Sequence, residues 1–289
     1  CEQTGLEAFN QRTHQGFFRG LTVRKSFDQN KFIIQLITSE IASQKTKLRT
    51  NNVFIKNFLD CCLQHLSTQV AGVFWSEVAP QSGNFQHPLS QKLIYGFPTL
   101  IEKINGLEFE ISLDSFFQTN VGSAENLYNV VIDFLDLKDS NSNHTAQTQV
   151  LDLFCGTGTI GQIIAHQNPN IKVRGVEIVE SAVKDAQKNA QRNALHNIEF
   201  IQADVGTFLR ENPLVSEFNS ETKVVLDPPR AGIAPKALKK IIQFQPSQIV
   251  YIACNPATMA RDAHTLKASG YELQRFTTID QFPHTAHIE

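Results

Sequence analysis

The sequence predicts an α/β protein, a doubly wound parallel sheet preceded by a smaller α+β domain. Three observations predict it: short apolar runs alternating with helical stretches beyond residue 148, a glycine-rich turn after the first such run, and a different pattern before residue 115. The apolar runs fall at 149–154, 171–177, 197–203, 222–227 and 247–253. Each is too short for a stable helix, and a helical stretch separates it from the next, as parallel neighbours require.

The first domain is read over 1–114. Within it GFFRGLTVRKSFDQNKFIIQLIT (16–38) gives two strands, 20–25 and 31–38, joined by the turn-forming Asp28-Gln29-Asn30. A helical stretch follows at 46–66, then strands at 70–78 and 99–113, with the Gly-, Pro-, Ser- and Asn-rich segment 80–98 between them. The second domain is read over 115–289 and opens with a helix at 122–137, whose apolar residues recur at helical spacing. That helix leads into the polar stretch 138–149, which has the composition of a surface linker.

At 289 residues, 41% hydrophobic and 19% charged, the chain has ordinary globular composition and a length that favours two cores over one. No apolar run reaches the roughly 18 to 20 residues that cross a bilayer, and no secretory leader pattern opens the sequence. A cytoplasmic monomer without a membrane partner is therefore expected. The five cysteines form neither a CxxC metal pattern nor an even framework, which fits a reducing compartment. The net charge of −2 weighs against a broad phosphate-binding surface, so charge location has to matter more than the total. The sequence begins on Cys1 and its one methionine is Met259, so a piece of a longer protein is expected.

In VLDLFCGTGTIG (150–161) an apolar strand runs into a glycine turn and then a helix, and Gly156, Gly158 and Gly161 satisfy GxGxxG. Such glycines let the backbone turn sharply and approach a ligand at a helix N-terminus. Glu177 ends the next strand, where a carboxylate can accept from ribose hydroxyls of either NAD or S-adenosylmethionine, and Asp204 ends the third, within reach of an adenine amino group. The plain alternative for both is a helix N-cap. The fourth strand ends in LDPPR (226–230), which stiffens a loop at the carboxyl edge of the sheet and suits a methyl-acceptor base at Asp227. No nicotinamide-side catalytic pair is visible, so S-adenosylmethionine is preferred.

In IVYIACNPATMARDAH (249–264) Cys254 follows a β-branched strand, and Asn255-Pro256 turns the chain into a helix. The helix dipole and Arg261 are expected to lower its thiol pKa, giving a nucleophile near neutral pH. The inert alternatives are Cys61 and Cys62 in a helical apolar stretch, and Cys155, expected to pack beneath the cofactor. A thiolate suits one reaction in particular. Carbon 5 of uracil is too weak a nucleophile to take a methyl group until a thiolate adds at carbon 6, and a general base must afterwards remove the carbon-5 proton. Glu289, in FPHTAHIE, is the candidate base, although a chain-end glutamate is by default solvated. His284, His287 and Glu289 form an HxxHxE string with no second ligand cluster, and no metal is expected.

SFFQTN (115–120), AENLY (124–128), LDLFCGTGTIG (151–161), GVEIVESAVKDAQKNAQRN (175–193), LDPPRAG (226–232), YIACNPATMARD (251–262) and DQFPHTAHIE (280–289) occur in an order that resembles the RNA uracil-5-methyltransferases, and the 23S ribosomal RNA enzymes of bacteria above all. FRGLTVRKS and GFPTLIEKINGLEFEIS are similar to that family's central domain. The resemblance implies Cys254 as nucleophile, Glu289 as proton acceptor, and Gln118, Phe154, Thr159, Glu177, Asp204 and Asp227 as contacts to S-adenosylmethionine, with Gln118 and Asp227 also touching a flipped target base. It implies an RNA partner, ribosomal or else transfer RNA, gripped by Arg12, Arg19, Arg24, Lys25 and Lys31 unless these are solvated hairpin charges. The family's N-terminal RNA-binding barrel and its cysteine pattern for an iron–sulfur cluster are not in this sequence, and members run on for a further strand beyond the position of Glu289. Two other readings remain: an amine N-methyltransferase using the DPPR loop, and a cofactor-binding module without catalysis.

Overall fold

A computed structural model of the chain describes residues 6–40, 53–79, 88–137 and 148–289. The chain divides into two compact units, 1–102 with 110–114 and 103–109 with 115–289. The polar stretch read as a linker falls almost wholly outside the described residues.

The first unit is built on a four-stranded sheet of β1 (Phe18–Ser26), β2 (Lys31–Ser39), β3 (Val70–Val78) and β4 (Ser90–Gly96), adjacent in that order. β1 and β2 form the antiparallel hairpin read from the sequence. β2 and β3 are parallel, so the chain crosses over between them, and helix α1 (Val53–Leu66) lies on that connection. β2 is nearly continuously apolar because both its faces are covered. Ile34 and Leu36 pack with Phe54, Ile55, Phe58 and Cys62 of α1, and Ile33 packs with Phe74 and Leu100 on the other side.

Two strand expectations change before residue 115. The segment 80–98 contains a strand, β4, paired antiparallel with β3. Its residues SQKLIYG are mostly exposed, so it carries no buried-face alternation by which sequence could reveal it. The run 99–113 is two strands, β5 (Thr99–Ile104) and β6 (Leu107–Ser112), joined by Asn105-Gly106 with φ of 47° and 80°. Positive φ at both residues is what a two-residue hairpin turn demands. Arg24, one of the candidate phosphate contacts, is half-buried and donates to the carbonyl of Ser112, which fastens β6 to β1.

The second unit holds the parallel sheet, in the order β11-β10-β7-β8-β9: β7 (Gln149–Leu153), β8 (Lys172–Glu177), β9 (Ile198–Gln202), β10 (Lys223–Leu226) and β11 (Gln248–Tyr251). All five expected strands are present. Helices α3 (Thr159–Gln167), α4 (Glu180–Arg192), α5 (Val205–Glu211) and α6 (Pro235–Phe244) connect them in turn, α7 (Pro256–Ala268) follows β11, and α2 (Val121–Leu135) precedes β7. From β7 the chain winds outward through β8 and β9, then returns to place β10 and β11 on its other side. The switch in direction therefore lies between β7 and β10, where sheets of this kind open a crevice at their carboxyl edge. Leu151, Leu153, Val176, Val224, Leu226, Phe208 and Ile241 form the buried core beneath that edge.

Candidate active site

Strand register brings the predicted residues to one edge. Leu153 of β7 is aligned with Leu226 of β10 and Val176 of β8, and Leu226 with Tyr251 of β11. The next residue along each of β7, β8 and β10 stands at the carboxyl end of its strand, on neighbouring strands of the sheet. Phe154, Glu177 and Asp227 are those residues, and Cys254 lies three beyond Tyr251.

The glycine turn is tight. Phe154 adopts a left-handed φ of 63°, unusual for a bulky residue and a form of strain that collects at functional sites. Gly158, at φ 73°, caps α3, and a Cβ there would stand 2.4 Å from the ring of Phe200. Thr159 is buried as the first residue of α3. Glu177 holds the turn from outside: one carboxylate oxygen accepts from the N–H of Gly156 at 3.0 Å, the other from Ile178 and Val179 at 2.8 and 2.9 Å. Asp204 caps α5, accepting from the Thr207 N–H at 2.9 Å, so the helix-cap reading of this residue is realised. Cys155 packs with Phe200 and Ala186, and burial, Asp152 and Glu177 push its thiol well above the ordinary value, as suits an inert sulfur.

Beside the turn, Asn255 at the start of α7 donates to the carbonyl of Arg230 at 3.3 Å, and the Thr258 hydroxyl, which donates to the Asn255 carbonyl at 3.0 Å, lies 3.5 Å from the same Arg230 oxygen. Arg261 is bound to Asp262 and to the carbonyls of Ala231 and Ile233. Asp262, only 1% exposed, also accepts from Ile233 N–H at 2.9 Å and Tyr251 hydroxyl at 2.8 Å. The loop carrying Asp227 and the turn carrying Cys254 are thereby joined into one piece.

The segment 115–120 reaches the same place. Thr157 Oγ1 donates to the Phe116 carbonyl at 3.4 Å, and Gln281 Nε2 lies 3.4 Å from Gln118 Oε1. The backbones of Ile279 and Glu289 bond reciprocally at 2.9 and 3.0 Å, closing the 280–288 loop and leaving Glu289 half-buried. Its default as a solvated side chain is not what the structure holds.

Electrostatics tie these groups together. Burial pushes Asp152 up to about 8, with the Asp227 charge adding and the Gly161 N–H opposing. Asp227 is raised to about 7 by burial and then by Glu289, and burial raises Glu289 itself. The Tyr128 hydroxyl is raised by burial, Asp227, Asp152 and Glu289. The Cys254 thiol is raised as well, by burial and by Glu289 and Asp227, while its own backbone N–H and Arg230 act the other way. The lowered thiol expected from the sequence is thus overturned: carboxylates face the sulfur, and Arg261 is engaged by Asp262.

Sequence reasoning missed Asp152, Tyr128, Arg230, Asp262 and Gln281. A charged residue in the middle of an apolar strand was the available signal for Asp152. Among the described residues no group of three His, Cys, Asp or Glu side chains is arranged to hold a metal ion, and no helix is long and apolar enough to cross a membrane. An open groove lined by Lys172, His196 and Glu199 lies at the amino ends of β8 and β9, the opposite edge from this site.

Over 289 residues the chain is 36% identical to an uncharacterised RNA methyltransferase of Caldanaerobacter subterraneus, covering 99% of this chain and 59% of that protein. It is 34% identical over 290 residues to an uncharacterised RNA methyltransferase of Chlorobaculum tepidum, covering 99% and 56%. The chain therefore spans less than two thirds of the length of these relatives. The crystal structure of Pyrococcus abyssi tRNA (uracil-54, C5)-methyltransferase in complex with S-adenosyl-L-homocysteine superposes with a TM-score of 0.72 at 24% identity, covering 99% of this chain and 62% of that one, a likeness of fold. Residues 103–289, which carry the strand-edge carboxylates, the glycine turn and Cys254, match the tRNA (uracil-5-)-methyltransferase family, and the chain belongs to that family.

Proposed function

We propose that this chain carries the catalytic part of an S-adenosylmethionine-dependent enzyme that methylates carbon 5 of a uridine in RNA. The observation that carries the reading is the meeting of Cys254, Asp227 and Glu289 at the carboxyl edge of the sheet, beside the glycine turn. The residues fit the cofactor. Asp152 keeps one carboxylate oxygen buried without a partner, space is open where a Gly156 side chain would stand, and carboxylates gathered under burial are suited to a ligand bearing positive charge. Gln118, Phe154, Thr159, Glu177, Asp204 and Asp227 would hold it. Bound S-adenosylmethionine supplies an electrophilic methyl group on a sulfonium.

The chain's own residues do the rest. The Cys254 thiolate forms a bond to carbon 6 of the pyrimidine, and the displaced double-bond electrons move through carbon 5 onto the carbon-4 oxygen as an enolate, which makes carbon 5 nucleophilic. Once carbon 5 is methylated, Glu289 accepts its proton. The electron pair of that C–H bond restores the carbon 5–carbon 6 double bond and expels the Cys254 thiolate.

The substrate proposed is 23S ribosomal RNA, on the resemblance of LDPPRAG and CNPAT. Transfer RNA is the second reading, favoured by the substrate of the Pyrococcus enzyme. Nucleoside mass spectrometry of both RNAs from a deletion strain separates them by which one loses 5-methyluridine, and loss from neither counts against both. Cys254→Ala is expected to abolish covalent capture by 5-fluorouridine RNA while S-adenosylmethionine still binds. Retained methyl transfer would support the amine reading instead, and cofactor binding by the wild-type chain without any methylation would support the non-catalytic module.

A further inference from the structure

We propose that Gln281 is a positioning residue that fixes the amide of Gln118 so that Gln118 presents its N–H donors to its ligand, and so favours an acceptor oxygen. The proposal rests on the functional reading above and concerns a residue that the reading gives no role.

Gln281 is 0% exposed and held from several sides. Its backbone N–H donates to Ile279 at 3.0 Å, and its carbonyl accepts from Asn120 Nδ2 at 3.1 Å. The side-chain sense is forced: Nε2 lies 3.1 Å from the carbonyl of Asn120, and a backbone carbonyl can only accept. The second N–H of the same nitrogen meets Gln118 Oε1 at 3.4 Å. Turning Gln118 over would set one NH2 group against another, so its oxygen is held toward Gln281 and its Nε2, with two N–H donors, is turned away from Gln281.

Gln281 achieves this while its own Oε1 stays buried without a hydrogen-bond partner. Such an orphan acceptor is costly and calls for an explanation. Methionine would fill similar space without it, so packing alone does not account for a glutamine here. Among the acceptors of the proposed ligands, the carboxylate of the cofactor and carbonyl oxygen 4 of a uracil would both suit the N–H donors of Gln118. Cytosine presents an amino donor at position 4 and would meet Gln118 donor to donor.

The test compares wild type, Gln281→Met, Gln118→Met and the double variant. It measures thermal unfolding, the Kd of S-adenosylmethionine, and the ratio of covalent capture of 5-fluorouridine to 5-fluorocytidine RNA. Gln281→Met is expected to reduce one of the two binding readouts about tenfold, the weight of one hydrogen bond. A change in Kd identifies the cofactor carboxylate, and a change in the capture ratio identifies the base. The double variant should lose no more than Gln118→Met alone, since Gln281 acts through Gln118. Should Gln281→Met unfold, Gln281→Glu has the same shape without the N–H donors; it is expected to turn Gln118 over and shift capture or cofactor binding in the same direction. Additive losses, or no change in either readout, would overturn the role of Gln281 and leave the functional reading standing. A wild-type chain that neither binds the cofactor nor captures 5-fluorouridine RNA would overturn both.

Discussion

The Cys254 sulfur lies among groups that oppose its ionisation. Burial, Glu289 and Asp227 raise its thiol above the ordinary value of 9.0, so the ligand-free site holds a protonated, weakly nucleophilic sulfur at neutral pH. A cationic ligand is expected to offset the share of this shift that comes from the two carboxylates and to leave the larger share, which comes from burial. In a Cys61→Ser background, which removes the exposed thiol of α1, the pH midpoint for alkylation of Cys254 should lie above 9.0 and fall when S-adenosylmethionine is added. S-adenosylhomocysteine, whose sulfur is neutral, should lower it less; equal shifts with the two ligands, read by mass spectrometry, would remove the electrostatic argument. Glu289→Gln tests the other end of the reaction. Removing its charge relieves Cys254, so capture of RNA should be no slower, whereas proton removal from carbon 5 loses its base and turnover should fall by about 10²- to 10⁴-fold. The expected signature is a methylated protein–RNA adduct that persists with unfluorinated RNA.

At the scale of elements, α7 decides whether two functional turns move together. Asn255, Arg261 and Asp262 together bond the carbonyls of Arg230, Ala231 and Ile233 and the N–H of Ile233. Asp262→Ala strands the Ile233 N–H and the Tyr251 hydroxyl and leaves Arg261 without its carboxylate, at a cost of about 3 kcal/mol. Urea unfolding should show that loss, with turnover falling further than stability accounts for; a cost within a few tenths of a kcal/mol would mean that the loop is held by other means. This clamp was only partly legible in the sequence. The five parallel strands could be read because burial on both faces makes them continuous apolar runs, and the register of Phe154, Glu177 and Asp227 followed from their strand-end positions. β4 could not, because an exposed strand need not alternate. Nor could the surroundings of Cys254 or Gln281: of the carboxylates that raise the thiol, Asp227 follows β10 and Glu289 closes the 280–288 loop, and Gln281 meets Asn120 across a sequence separation of 161 residues.

For the molecule as a whole, two carboxylates, the buried Asp152 and the half-buried Asp227, contribute to how stability responds to pH. Asp152 and Asp227 ionise at about 8 and about 7 in the folded chain, against an ordinary 3.8 when unfolded. Between those limits the folded state keeps protons that the unfolded state has released, so stability falls as pH rises from about 4 towards 8 and levels off above. Each such group contributes a slope of at most about 1.4 kcal/mol per pH unit. Other titrating groups add their own slopes, so the informative quantity is the difference between wild type and Asp152→Asn, which keeps an acceptor for the Gly161 N–H but carries no charge. That difference should be small at pH 5 and grow in favour of the variant by pH 8, measured by chemical unfolding at each pH. S-adenosylmethionine should in turn stabilise the wild type more at pH 8 than at pH 5, because it offsets carboxylate charge that exists only at the higher pH. A wild-type and variant pair whose stabilities run parallel across this range would mean that Asp152 ionises normally, and that its burial beneath the glycine turn is no reservoir of unpaired negative charge waiting for a cationic ligand.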